Sequence, residues 1–223
     1  MPLIPNPSAR VWIPLFGAYL LFFYWYTAFD GPLTADEIAR YRDGVERALP
    51  GEPQRAAAWV RFMETDTGDD FGMISVIALR ATPSPIEGVA PGSSSETVLE
   101  AYTEPFFAEI VPLAAHPVLV GWAASPSIDL WGIEGANDWT QGVVVRWRSR
   151  RDFMEFAMGL LQTTQDGNIH DFKLAAIEKT IAFPLDPWFH FGDPRILLAL
   201  TLAAVGFAAQ AASRRSGARA GGP

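Results

Sequence analysis

The sequence predicts an α+β domain, an antiparallel sheet with helices on one face, held between two membrane-spanning helices. Three observations carry this reading. The longest apolar runs lie at the two ends of the 223-residue chain, the middle alternates β-branched runs with segments of helical spacing, and the middle is acidic where the tails are basic. Aliphatic and aromatic residues make up 49% against 19% charged, enough for a sizeable core and unlike a disordered chain. The length suits one domain with attachments.

Residues 1–10 form a short tail with one basic residue, Arg10. From Val11 to Phe29 the chain reads "VWIPLFGAYLLFFYWYTAF", without a charge. As a helix it covers roughly 28 Å, close to the thickness of a hydrocarbon core. Its aromatic residues from Phe22 to Tyr26, with Phe29, gather at the far end, where amphipathic rings favour the membrane boundary. A cleaved signal peptide is the competing reading. A single arginine ahead of the run, the run's length and the lack of an A-x-A site favour an uncleaved anchor. The second span is Ile196 to Ala212, in which Ala204, Ala208 and Ala212 form a small-residue stripe that either suits helix pairing or simply reflects an alanine-rich span.

The flanks set an orientation. Arg10 precedes the first span and Arg214, Arg215 and Arg219 lie in the tail 213–223, whereas Asp30, Asp36 and Glu37 follow the first span. By the positive-inside rule both termini are cytoplasmic, and the domain lies in the periplasm or outside the cell, as in a bacterial inner-membrane protein. Between the spans 13 basic residues face 25 acidic ones, a net of −12, which repels nucleic acid. There is no cysteine, so disulfides, thiolate nucleophiles, cysteine-ligated zinc and iron–sulfur centres are excluded.

Residues 30–69 read as a helical lead-in. Thr34 and Glu37 form a capping-box pattern before the first helix, which Pro50-Gly51 stops. Pro53 opens a second helix through Ala56, Trp59, Val60 and Met63; a strand at Ala56–Met63 fits the pattern less well. The α+β domain proper, 70–190, begins with "GMISVIALRAT", a central strand over Met73–Ala81. Thr82 to Glu96 is a Pro/Gly/Ser-rich loop, either a lid or a surface insertion. Val98, Leu99, Tyr102, Phe106 and Ile110 then have helical spacing, with a bend at Pro105.

"HPVLVGWAAS" is a short strand, and a turn-rich section leads to a strand over Gly142–Arg148. Alternation puts Val145 and Trp147 on one face of that strand and Arg146 and Arg148 on the other, so replacing Arg146 is expected to leave the fold intact. Ser149 caps a helix from Arg150 to Leu160, and "IHDFKLAAIEKTIAFPL" gives a short helix and a last strand ending at Pro184. Strand, helix, strand, strand, helix, strand is the ferredoxin-like split βαβ order. Its uncovered sheet face calls for a partner, and a homodimer is expected unless the two N-terminal helices provide the cover.

"MISVIALR", "VVVRWRSRRDFMEFA" and "HDFKLAAIEKTIAFP" resemble segments of small uncharacterised dimeric α/β-barrel proteins, distant relatives of the stress-responsive barrel and antibiotic-biosynthesis monooxygenase groups. The resemblance covers Phe71 to Leu185. It implies a ferredoxin-like dimer with a pocket between sheet and helices, in a superfamily that binds aromatic molecules and sometimes oxidises them without a cofactor. It carries over no catalytic residue.

The residues themselves offer few chemical groups. The four arginines Arg146, Arg148, Arg150 and Arg151 do not form one patch, and each is expected to pair with a carboxylate. An anion-binding role for Arg146 is the sharper alternative. Arg150 and Arg151 open a helix, where cations are unfavourable, so tertiary partners are expected for them. His116, His170 and His190 lack metal-ligand spacing, and no metal or cofactor is expected. His116 or His170 is the best acid–base candidate; a plain turn or cap role is the alternative. Tyr102, Trp122, Trp131 and Trp139, beside Asp138, are candidates for lining an apolar ligand cavity, or are simply core. Walker, dinucleotide, G-x-S-x-G and H-E-x-x-H patterns are absent.

The function expected from these readings is a membrane-anchored ligand-sensing or protein-interaction module, with a lipophilic ligand or a membrane protein as partner. The runner-up is a tethered, cofactor-independent enzyme of monooxygenase or isomerase type, acting on an aromatic or quinone-like substrate. A dry cavity bearing histidine or arginine beside Trp122 favours the enzyme. A filled core with an exposed apolar sheet face favours the module.

Overall fold

In the computed structural model, residues 7–135, 137–162, 169–188 and 192–220 are described; His190 lies outside them. The chain divides into two units, residues 28–187 and the two ends taken together.

In the larger unit, α2 (Ala35–Ala48) starts at the expected box. The Thr34 hydroxyl accepts from the Glu37 amide at 3.3 Å, while the Thr34 amide donates to the Glu37 carboxylate at 2.8 Å. Helix α3 (Pro53–Glu64) begins on Pro53, whose missing N–H costs nothing there. The turn after it is tight: a Cβ on Gly68, where φ is +83°, would lie 2.6 Å from the Gly31 backbone. Four strands follow, β1 (Phe71–Leu79), β2 (His116–Trp122), β3 (Gln141–Trp147) and β4 (Ile177–Leu185), in the spatial order β2-β3-β1-β4 with every pair antiparallel. Between them run α4 (Ser95–Ile110) with a 3₁₀ turn after it, α5 (Arg150–Gln162) and α6 (Ile169–Ala176). The class is α+β, with an antiparallel sheet and helices packed on one side of it.

Strand alternation decides what each sheet face carries. Phe71, Met73 and Ile77 of β1 and Val143, Val145 and Trp147 of β3 point towards the helices, where they meet Val98, Leu99, Phe106 and Ile110 of α4, Phe153 and Phe156 of α5, and Phe172 and Ala176 of α6. Trp147 is almost fully buried, with ring centroids 5.0 Å from Phe153 and 5.4 Å from Phe156. The leading helices α2 and α3 do not cover the other sheet face. Tyr41, Val45, Ala56 and Met63 pack instead on Met154 and Met158 of α5, and Trp59 stacks on Phe153.

One expectation fails at the end of β3. Arg146 does face away from Trp147, but it is only 3% exposed. Its Nε donates to Asp70 at 3.0 Å and its Nη1 to the Ala114 carbonyl at 2.9 Å, so this end of the open face is closed by a buried polar bridge. Removing Arg146 therefore strands the buried Ala114 carbonyl and the partly buried Asp70 carboxylate rather than leaving the fold untouched.

In the smaller unit, α1 (Pro7–Tyr26) and α7 (Pro194–Ala220) lie side by side and antiparallel. Ser8 accepts from Gln210 at 2.9 Å, Trp12 meets Phe207 edge-on at 5.1 Å, and the Arg195 guanidinium lies 5.6 Å from the Tyr26 ring centroid. Gly206 makes the approach possible, since a Cβ there would come within 2.6 Å of Trp12. Of the stripe Ala204, Ala208 and Ala212, all three residues are exposed, and the close approach to Trp12 is at Gly206. Among the described residues one helix, over Pro194–Arg215, is long and apolar enough to cross a membrane.

Candidate functional site

The side of the sheet away from the helices carries a patch built from all four strands. Ile74 and Val76 of β1, Val144 of β3, Leu119 of β2, and Ile181 and Phe183 of β4 are register neighbours on that side: Val144 opposes Leu119 and Ile74, Ile74 opposes Phe183, and Val76 opposes Ile181. Leu119 is 65% exposed, Phe183 45% and Ile181 42%, with Leu185 continuing the row. The β-branched residues are there because a central strand demands them. Among the described residues, their side chains belong to none of the clusters that the domain's helices form.

The six candidates for a ligand site, Tyr102, His116, Trp122, Trp139, Arg146 and His170, do not converge on one site. Tyr102 and His170 lie on the two packed helices α4 and α6, with Lys173, which no sequence pattern singles out, beside the tyrosine. Helices α4 and α6 pack together, and the Lys173 ammonium stands 5.6 Å from the Tyr102 ring centroid, one turn from His170. Burial pushes the Tyr102 phenol well above its usual range, with Glu109 adding to the effect, and pushes the Lys173 ammonium down. His170 is lowered by burial and then by Lys173, against a smaller opposing effect of Asp171.

Trp139 lies elsewhere, under Lys179, whose ammonium is 5.5 Å from its ring centroid and 2.6 Å from Asp138. His116 opposes Arg146 across β2 and β3, its Nδ1 3.1 Å from the Pro117 carbonyl oxygen. Trp122 ends the edge strand 57% exposed, and Trp131 is 83% exposed on the β2–β3 loop. The Thr82–Glu96 loop sends Ile86 and Val89 into the cluster around Ile77 and Leu99. A shallow groove of about 810 Å³ between α2 and α3, edged by Arg42, Glu46, Arg61 and Glu64, contains none of the six. Among the described residues no group of three histidines or carboxylates is placed to hold a metal.

Each of the four arginines has its carboxylate. Arg146 pairs with Asp70 at 3.0 Å, Arg148 with Asp152 at 2.6 Å, Arg150 with Asp186 at 2.9 Å and Arg151 with Glu37 at 2.7 Å. Arg150 is also nearly buried, donating to the Phe62 carbonyl and, at 2.9 Å, to Thr65, so it ties the end of α3 to the start of α5. This arginine-rich stretch works as a set of internal ties.

No family model and no curated protein matches the chain. Among solved structures it is similar to a protein of unknown function from Rhodopseudomonas palustris, at 18% identity and a TM-score of 0.45 over 64% of this chain and 98% of that one. It is also similar to a protein from Arabidopsis thaliana, at 11% identity and a TM-score of 0.32 over 54% and 98%. Hydroxynitrile lyase from Passiflora edulis matches at 12% identity and a TM-score of 0.31 over 55% and 98%.

Proposed function

We propose that the chain is a membrane-anchored interaction module, a ferredoxin-like domain of the dimeric α/β-barrel type that pairs with a second copy through the uncovered sheet face. The observation that carries this reading is the contrast across the sheet: the helix side is filled by interlocking aromatic and aliphatic side chains, while the other side exposes Leu119, Ile181 and Phe183. An apolar patch spread over four strands is the kind of surface that soluble domains cover with a partner.

The anchor is two spans, not one. Helix α1 runs antiparallel along α7 from Ser8 beside Gln210 to Tyr26 beside Arg195, so a bilayer that takes up α7 takes up α1 with it. Both chain ends then lie on one side, which the arginines of the tails make cytoplasmic, and the acidic domain lies in the periplasm or beyond.

Native mass spectrometry of the detergent-extracted chain tests the pairing. Dimer is expected for the wild type and monomer for Ile181→Asp/Phe183→Asp with an unchanged circular-dichroism spectrum; a wild type that is monomeric at every concentration ends the proposal.

The second reading, a tethered enzyme for a lipophilic substrate, has one observation in its favour. Lys173 and Tyr102 form an amine of lowered basicity beside a phenol of raised pKa, an arrangement found at acid–base sites as well as in plain helix packing. Small molecules co-purifying with the wild type but not with Lys173→Met would favour it.

A further inference from the structure

Fifteen of the 17 basic residues are arginines, and the two lysines, Lys173 and Lys179, have unlike surroundings. The Lys179 ammonium donates to the Asp138 carboxylate at 2.6 Å and to the Gly135 carbonyl. Lys173 is part-buried where α6 packs on α4, and among the described residues its ammonium has neither a hydrogen bond nor an ion pair, although the chain holds 25 acidic residues. It stands instead over the ring of Tyr102, which stacks on Phe106 with centroids 5.4 Å apart. Tyr102, Phe172, Ile86 and Val89 pack on one cluster, so the helix pair and the Thr82–Glu96 loop meet in an apolar surface next to this amine. A Cβ on Gly88 would lie 4.0 Å from the Phe172 ring, which places the loop against α6.

An ammonium without a counter-charge is a poor packing element, since burying it costs free energy that leucine or methionine at the same place would not. Where the fold needs a buried or half-buried cation for a tie it uses arginine with a carboxylate, as at Arg146, Arg148, Arg150 and Arg151. Arginine keeps its charge; a lysine desolvated away from carboxylates gives up its proton and becomes a nucleophile. At Lys173 burial acts in that direction and no carboxylate opposes it. The titratable groups that face it are His170 on its own helix and Tyr102 on α4, with Glu109 acting on the tyrosine. We propose that Lys173 is a nucleophilic amine that takes lipophilic aldehydes as a Schiff base. The neutral Nζ adds to the carbonyl carbon, a C=N bond replaces the C=O bond, and the oxygen leaves as water carrying the two amine protons. The apolar neighbours suit an alkyl or aryl body behind the carbonyl. The inference rests on the second reading above, in which the α4–α6 pair takes a lipophilic substrate, and names the reactive group of that substrate and the bond it forms.

With two lysines in the chain, each molecule carries its own control. The detergent-extracted full chain is incubated with decanal and cyanoborohydride, which reduces an imine to a stable secondary amine, and the adducts are placed by peptide mass spectrometry. Near pH 8 the adduct is expected to form at Lys173 at least about tenfold faster than at Lys179, since each unit of lowered pKa raises the neutral fraction of an amine about tenfold. In urea the two rates should converge, because the packing of α4 on α6 is then lost. Lys173→Arg, which keeps the charge, should abolish the fast adduct; the comparison within the wild type does not depend on the variant folding. Equal rates in the folded chain, no adduct at Lys173, or a preference that persists in urea each overturn the inference. If small molecules nevertheless co-purify with the wild type and not with Lys173→Met, the Schiff base alone is lost and the ligand site stands. If neither the adduct nor a co-purifying molecule is found, both fall.

Discussion

The two faces of the sheet are built from the same residue types and have opposite fates. Towards the helices, Ile77, Val145 and Trp147 disappear from solvent; away from them, Leu119, Ile181 and Phe183 stay largely open. Composition does not separate the two, since β-branched and aromatic residues are what a central strand requires on either side. The difference comes from where the helices go. Because α2 and α3 find their own apolar surface on α5, these two helices of the larger unit do not cover the second face. One face supplies the folding free energy, and the other leaves its apolar area in solvent, where the proposed pairing would use it.

The comparison breaks most sharply at Trp147. Its ring touches Phe153 and Phe156 with no solvent access, so Trp147→Ala is expected to cost about 3–5 kcal/mol in a denaturant melt of the domain. A variant as stable as the wild type would show that the helix face is not the core. Arg146→Ala comes next. It leaves Asp70 and the Ala114 carbonyl without their cation and should cost about 3 kcal/mol. Arg146→Met/Asp70→Leu should recover part of that loss, because most of it is the penalty of the stranded carboxylate and not the worth of the pair.

Arg146 also marks where the sequence stops being legible. Strand period, caps and breakers depend on neighbours in sequence, and they locate Thr34 with Glu37, the proline start of α3, the strand around Val143–Trp147 and its turn into α5. The burial of Arg146 depends on Asp70 and Ala114, distant in sequence and brought together by strand pairing, so no local pattern could announce it. The same holds for Lys173 against Tyr102. For the open face, alternation along β4 names the residues but cannot say whether α2 and α3 will cover them. Helix pairing in the smaller unit illustrates the same limit: the spacing of Ala204, Ala208 and Ala212 is either a pairing stripe or mere alanine richness, whereas the approach is set by the fit of Trp12 over Gly206.

On the open face the expected effect on the fold is smaller. Phe183 is already half exposed, so Phe183→Ser should lower the stability of the isolated domain by less than about 1.5 kcal/mol, well below the Trp147 cost, while abolishing the proposed dimer. A loss equal to that of Trp147→Ala, measured at concentrations too low for dimer, would mean that the second face is buried within the monomer.

The smallest effect is at Glu37, and its sign is fixed by pH. The Arg151 guanidinium, then the Thr34 amide, hold its carboxyl down at about 2. A carboxylate with a lowered pKa stabilises the fold at pH values above its ordinary range near 4.5, and loses that contribution as pH falls towards 2. Because the pair is partly solvated, Glu37→Gln should cost no more than about 1 kcal/mol at neutral pH. The gap between variant and wild-type melting temperatures should close between pH 4.5 and 2. A gap that stays constant across that window would show that the Arg151 tie contributes nothing through charge, leaving the capping hydrogen bonds of α2 as the whole role of the residue.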